Sequence, residues 1–122
     1  MGSGAAFTAG AAEEKVRRGT IAWIDLRDAV PPEMGKTRPG LIISNTQQNT
    51  TLPTVVIIPL SSRPRELWPL RLKMDLPRSK HSFVVLPGIR GVTRDRILDT
   101  IGFASDEFLE RLMEALAVYL GD

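Results

Sequence analysis

Gly19 to Leu26 reads GTIAWIDL, a run in which small or aliphatic residues alternate with aromatic and polar ones. That period of two marks a strand. Pro31-Pro32 breaks it, and nine prolines and ten glycines over 122 residues cut the rest of the chain into similarly short pieces, the spacing of an all-β domain. Working outward, Leu41 to Ser44 predicts a short apolar strand after Pro39-Gly40, and Asn45 to Pro53 is polar turn chemistry. Thr54 to Leu60 (TVVIIPL) is β-branched and predicts a buried strand. Leu70 to Met74 (LRLKM) alternates strictly, and Ser82 to Leu86 and Arg96 to Ile101 complete about six strands, with a turn at Pro87-Gly88.

The period then changes. Phe108, Leu109, Leu112, Met113, Leu116 and Leu120 recur at helical spacing. Ser105 is placed to cap this helix, Asp106 and Glu107 suit the positive end of its dipole, and Gly121 follows its end. The expected fold is mainly β (α+β), a small β-barrel closed by a C-terminal amphipathic helix. Residues 16–122 read as one domain. Residues 1–15 read as a flexible tail or a cloning remnant, because Met1 to Ala12 is small and uncharged.

Composition excludes several chemistries. No cysteine is present, so there is no thiol nucleophile, disulfide or zinc–thiolate site. His81 is the only histidine, which closes any two-histidine mechanism within one chain. No cofactor or metal site is expected. The longest apolar runs fall far short of a membrane span, so the chain is expected to be soluble and cytoplasmic. Charge is uneven. Ser62 to Arg96 holds nine basic against three acidic residues, whereas Ile97 to the end holds one against six. A basic middle suggests a surface for an anionic partner, nucleic acid or an acidic peptide.

Four spaced landmarks carry more. Arg18 to Leu26 resembles the opening strand of the MazF/PemK/Kid toxin family. Glu33 to Asn45 (EMGKTRPGLIISN) resembles the family's E-x-G-K-T-R-P signature and the apolar strand after it. Pro59-Leu60-Ser61-Ser62 resembles its P-[LVI]-[TS]-S step, and Leu86-Pro87-Gly88 with Asp95 to Asp99 resembles the approach to the last strand. The resemblance runs from about Val16 to Leu120. It implies an SH3-like barrel of the CcdB/PemK type with a C-terminal helix, assembled as a homodimer. It also implies the toxin of a type II toxin–antitoxin pair: a metal-independent, sequence-specific endoribonuclease, silenced by an antitoxin with an acidic, disordered C-terminal segment.

In that reading RNA is cut when the ribose 2′-OH attacks its own phosphate, giving 2′,3′-cyclic phosphate and 5′-OH ends. The step needs proton transfers and donors at the phosphorane oxygens. Arg38 matches the catalytic Arg of the T-R-P step, and a planar guanidinium can grip a phosphate through two hydrogen bonds. Its plainer role is an ion pair with Glu33 or Asp25. Ser61 matches the family's Ser/Thr donor. Glu33 acts either as a base or by holding Arg38 in place, the second being favoured. Asp99 matches an acidic position that is catalytic in one branch. Lys36, Thr37, Ser62, Arg63, Arg65 and Trp68 are the candidate RNA contacts, Trp68 for RNA or antitoxin. Trp23 is expected in the core, and His81 is assigned no role.

The sequence departs from the family at Thr100-Ile101-Gly102, where Gln, an apolar residue and Arg are usual; this weakens any role for that strand. Two other functions share the fold. One is a gyrase-binding poison without catalysis, disfavoured because its Trp-Gly-Ile-type terminus is replaced by Tyr119-Leu120-Gly121-Asp122. The other is a catalytically silent nucleic-acid-binding barrel.

Overall fold

The computed structural model describes residues 16–63, 65–76 and 81–122. The chain runs β1 (Thr20–Asp25), β2 (Thr37–Ile42), α1 (Thr46–Thr51), β3 (Thr54–Ser61), β4 (Arg71–Lys73), β5 (Phe83–Val85), β6 (Arg90–Thr93), β7 (Ile97–Phe103) and α2 (Asp106–Leu120). All pairings are antiparallel. The strand order is β4-β5-β3-β2-β1-β7, with β6 added against the first half of β3. No ladder joins β4 to β7 among the described residues, so the expected barrel is seen as an open sheet. The tail expected at 1–15 lies outside the described residues.

The alternation read in the strands sorts side chains to two faces. Ile21, Leu41, Ile58 and Leu60 point to one face and join Leu72, Val84 and Leu86 in the larger core. Ala22, Ile24, Ile42, Val55 and Ile57 point to the other and meet Val92 and Ile97 in a second, smaller core. α2 covers the larger core with Leu109, Leu112, Ala115 and Leu116, one stripe of the helix. Its start is as read from sequence: the Ser105 side chain accepts from the Phe108 N–H at 3.0 Å, and Asp106 and Glu107 occupy the first turn.

Two glycines hold the sheet together. Gly19, at φ 96°, takes a left-handed conformation that disfavours other residues. Its N–H reaches the Ile42 carbonyl at 2.7 Å, and its own carbonyl receives the Ala104 N–H at 2.8 Å. Gly40 lies under Ile24; a Cβ there would stand 2.4 Å from Ile24 Cδ1.

The structure corrects several expectations. Asn45 to Pro53 holds a helical turn, α1, because the Asn45 side chain accepts from the N–H groups of Gln47 and Gln48 and caps it. β2 begins at Thr37, four residues before the strand expected at Leu41, and runs through Pro39. β6 was not foreseen; only Val92 of its four residues is buried, which leaves almost no pattern to read. The turn expected at Pro87-Gly88 is present, as a short 3₁₀ turn, Leu86–Gly88.

Candidate functional site

α2 covers only part of the sheet face it packs on. Beyond it, the same face carries Trp23 of β1, Pro39 of β2, Leu60 of β3 and Ile101 of β7, and these form the floor of a cleft of about 690 Å³. Trp23 was expected in the core and is 43% exposed. It follows the alternation correctly, two residues on from buried Ile21, but the helix does not reach it. Leu76 and Ser82 complete one rim.

The other rim is cationic. Lys36, Arg38 and Arg63 line the cleft together with Ser61 and Ser62, and no carboxylate is among its described lining residues. Such a site attracts an anion. Lys36 adopts φ 71°, unusual for a residue with a side chain. Its carbonyl accepts the Leu26 N–H at 2.8 Å, closing the base of the β1–β2 loop.

Arg38 is set by two backbone carbonyls. Its Nε donates to Gly35 at 2.9 Å and its Nη1 to Leu60 at 3.3 Å. The second bond has its origin in Pro39. In the β2–β3 ladder Gly40 faces Pro59 and Leu41 faces Ile58, and the Ile43 N–H bonds to Val56. Hydrogen-bonded pairs alternate along an antiparallel ladder, so the next donor due to the Leu60 carbonyl is residue 39. Proline has no N–H, and the arginine beside it supplies one instead. Two of the five guanidinium donors are thereby fixed, and the remaining three stay available. Burial, and secondarily the charge of Arg63, push the Arg38 pKa down, yet an arginine stays protonated at physiological pH.

The same register carried further brings Ser61 opposite Arg38. The Ser61 Oγ accepts the Arg63 N–H at 3.3 Å, which leaves its O–H to donate.

Lys36, Arg38, Ser61, Ser62 and Arg63 are therefore gathered in one place. Glu33, Thr37, Arg65, Trp68 and Asp99 are not among the lining residues. No contact between Glu33 and Arg38 is present among the described residues; the Glu33 carboxylate accepts the Val30 N–H at 2.9 Å. The plainer alternative for Arg38, an ion pair with Asp25, is absent from the contacts of the described residues; Asp25 binds Arg27 at 2.8 Å. Asp99 falls in a bulge where two residues of β7 oppose Trp23. Trp68 is exposed, with the Arg111 guanidinium 5.6 Å from its ring centre. Among the described residues, no three His, Asp or Glu side chains form a group suited to a metal ion, and no helix is long and apolar enough to cross a membrane.

Residues 17–120 match the family described as PemK-like, MazF-like toxin of type II toxin-antitoxin system. The chain belongs to this family. Among relatives of this PemK/MazF toxin, it is 29% identical over 109 residues to "Endoribonuclease EndoA" of Bacillus subtilis (strain 168), covering 86% of this chain and 94% of that one. A MazF crystal structure from Deinococcus radiodurans superposes with a TM-score of 0.72 at 24% identity, covering 87% and 96% of the two chains. A structure described as an endoribonuclease in complex with its cognate antitoxin, from a mycobacterial species, gives 0.71 at 25% identity over 86% and 94%.

Proposed function

We propose that this PemK/MazF toxin is an endoribonuclease that cuts single-stranded RNA at preferred sequences, without a metal ion, in the cleft between Trp23 and Arg38. One observation carries the reading: Arg38 and Ser61, from adjacent strands, line the same cation-rich cleft. The endoribonuclease names of relatives matching nearly the whole chain support it.

The chemistry follows from the groups present. The 2′-oxygen forms a bond to phosphorus as the P–O5′ bond breaks; the 2′ proton passes to water and the leaving oxygen regains one. Negative charge builds on the non-bridging oxygens, where preorganised donors act most strongly. Arg38 brings charge and its spare N–H groups, already aimed by the Gly35 and Leu60 carbonyls. Ser61 brings a neutral donor. Glu33 and Asp99 stand outside the described lining, so the reading assigns the main catalytic effect to stabilising the phosphorane. Lys36 and Arg63 hold flanking phosphates, and Trp23 offers a face for a base. Ser62 lines the cleft; Thr37, Arg65 and Trp68, outside its lining, are assigned to contacts with RNA beyond it, Trp68 also to the antitoxin.

The same charge suits an antitoxin whose acidic segment fills the cleft and blocks RNA. A cytoplasmic homodimer is the working form in this reading. The test is incubation with a long unstructured RNA in EDTA, comparing wild type with Arg38→Ala. Discrete cuts with 5′-hydroxyl ends, lost in the variant, support the proposal. No cutting by wild type, or equal cutting by the variant, overturns it.

A further inference from the structure

The β1–β2 loop leaves the sheet at Leu26 and returns at Lys36, and one of its carbonyls, Gly35, aims Arg38. What holds that carbonyl still lies on the far side of the loop. The loop opens with a turn in which the Ala29 N–H bonds to the Leu26 carbonyl at 3.0 Å. Asp28 is the third residue of this turn. Its carboxylate meets two arginines from distant sequence: Oδ1 accepts from Arg96 Nη1 at 2.9 Å, and Oδ2 from Arg90 Nη2 at 3.5 Å. The same Arg96 Nη1 also reaches the Asp25 carbonyl at 3.2 Å, so one guanidinium spans the end of β1 and the turn. Both arginine side chains are largely shielded, at 27% and 31% exposure.

The residue after Gly35 is tied to this turn: the Lys36 carbonyl accepts the Leu26 N–H at 2.8 Å. Leu26 is also the residue whose carbonyl closes the turn around Asp28. The contacts form one chain: Arg90 and Arg96 hold Asp28, Leu26 of its turn holds Lys36, and the carbonyl of the adjoining Gly35 holds Arg38 Nε.

We infer that Asp28 is a positioning residue for the active site, acting through the turn and the Gly35 carbonyl to hold the Arg38 guanidinium in its reactive orientation. The inference rests on the proposed ribonuclease activity for its kinetic consequence, but the coupling itself is a property of the free protein. Loss of alignment at a reacting centre is costly, a shift of about 1 Å being enough for about 10²-fold in rate. Loosening one support is expected to cost less, about 10-fold. Binding is expected to move the other way. Asp28→Asn removes a negative charge beside a basic surface, so RNA affinity holds or rises.

The experiment compares wild type, Asp28→Asn, Asp28→Glu and Arg96→Gln in single-turnover cleavage of one labelled oligonucleotide at saturating protein. Thermal unfolding checks that each variant is folded at the assay temperature. Asp28→Asn and Arg96→Gln should each slow the chemical step about 10-fold without weakening RNA binding, and Asp28→Glu should recover most of the loss. In an Arg38→Lys background, which lacks the Nε donor, Asp28→Asn should change the rate less than about 2-fold, as expected when two residues act through one contact. In a Ser61→Ala background its full effect should persist. The resonance of Arg38 Nε–H, read by NMR without RNA, should shift in Asp28→Asn and in Arg96→Gln. An unshifted resonance, or an equal slowing in the Arg38→Lys background, would overturn the inference. If wild type cuts no RNA, the functional reading fails while the resonance still decides the coupling.

Discussion

Arg38 donates from Nη1 to the carbonyl oxygen of Leu60, 3.3 Å away, at a position where a strand neighbour's N–H would ordinarily sit. Proline at position 39 vacates that position. The substitution Pro39→Ala therefore has a specific expected outcome. An alanine N–H competes for the Leu60 carbonyl, extends the ladder and releases the guanidinium. Stability should stay within about 1 kcal/mol of wild type, the new hydrogen bond offsetting the lost rigidity of proline. Cleavage should fall about 10-fold. Urea unfolding and single-turnover rates on the same preparation check both halves.

Arg38→Ala should lower the cleavage rate by about 10²–10³, the loss typical of removing one donor to a developing anion, and more if its charge also matters. Arg38→Lys should recover little, because a lysine ammonium cannot reproduce the fork that two carbonyls hold in place. Gel assays of cut RNA, with circular dichroism to confirm folding, measure this.

Trp23→Ala should weaken RNA binding by about 1–3 kcal/mol, the range for one stacked base, with only a modest fall in melting temperature because Trp23 lines the cleft outside both cores. Trp23→Phe should keep most of the affinity. Fluorescence anisotropy with a short labelled RNA distinguishes this from a core role, in which stability would drop by several kcal/mol instead.

Salt dependence gives a separate check on the cationic rim. Each phosphate held contributes about 0.7 to the slope of log affinity against log salt for single strands. Arg63→Ala and Lys36→Ala should each reduce the slope by about that amount, across RNA sequences. A titration from low to moderate salt reads it directly.

The Arg27 guanidinium and backbone N–H beside Asp25 hold its carboxyl well below the usual carboxylate range. A depressed acid contributes stability above its unfolded pKa, about 3.9, and loses it as the pH falls toward the folded value. Wild type should therefore lose stability relative to Asp25→Asn as pH is lowered from about 4. The difference should shrink in high salt because the pair is exposed. Denaturation curves between pH 2 and 6 test the sign.

Much of this was legible because periodicity reports which face a side chain takes. Ser105, the α2 stripe and the strand of Thr54 to Leu60 were read correctly for that reason. Periodicity does not report how far a covering element extends, and so Trp23 was assigned to the core when its face is right but its cover is missing. α1 escaped notice since its residues, TQQNTT, carry no apolar rhythm and depend on the Asn45 side chain to start. Family resemblance named Arg38 and Ser61, but it also offered Glu33 as the partner of Arg38. The structure gives that task to two carbonyls, which no side-chain pattern can reveal. The support at Asp28 joins residues more than sixty positions apart and required the fold.

The two cores described above share β1, β2 and β3, which bury residues on both faces. Amides there exchange with solvent water only when both cores open together, so they should be the last in the molecule to take up deuterium. Arg38 and Ser61 sit on those strands, while Ser62, Arg63, Leu76 and Ser82 border the cleft from connecting segments. The groups proposed for chemistry thus stand at the ends of the strands expected to exchange slowest, and several of those proposed for recognition stand on connecting segments, a division that would let drift in the borders change what is cut without disturbing how.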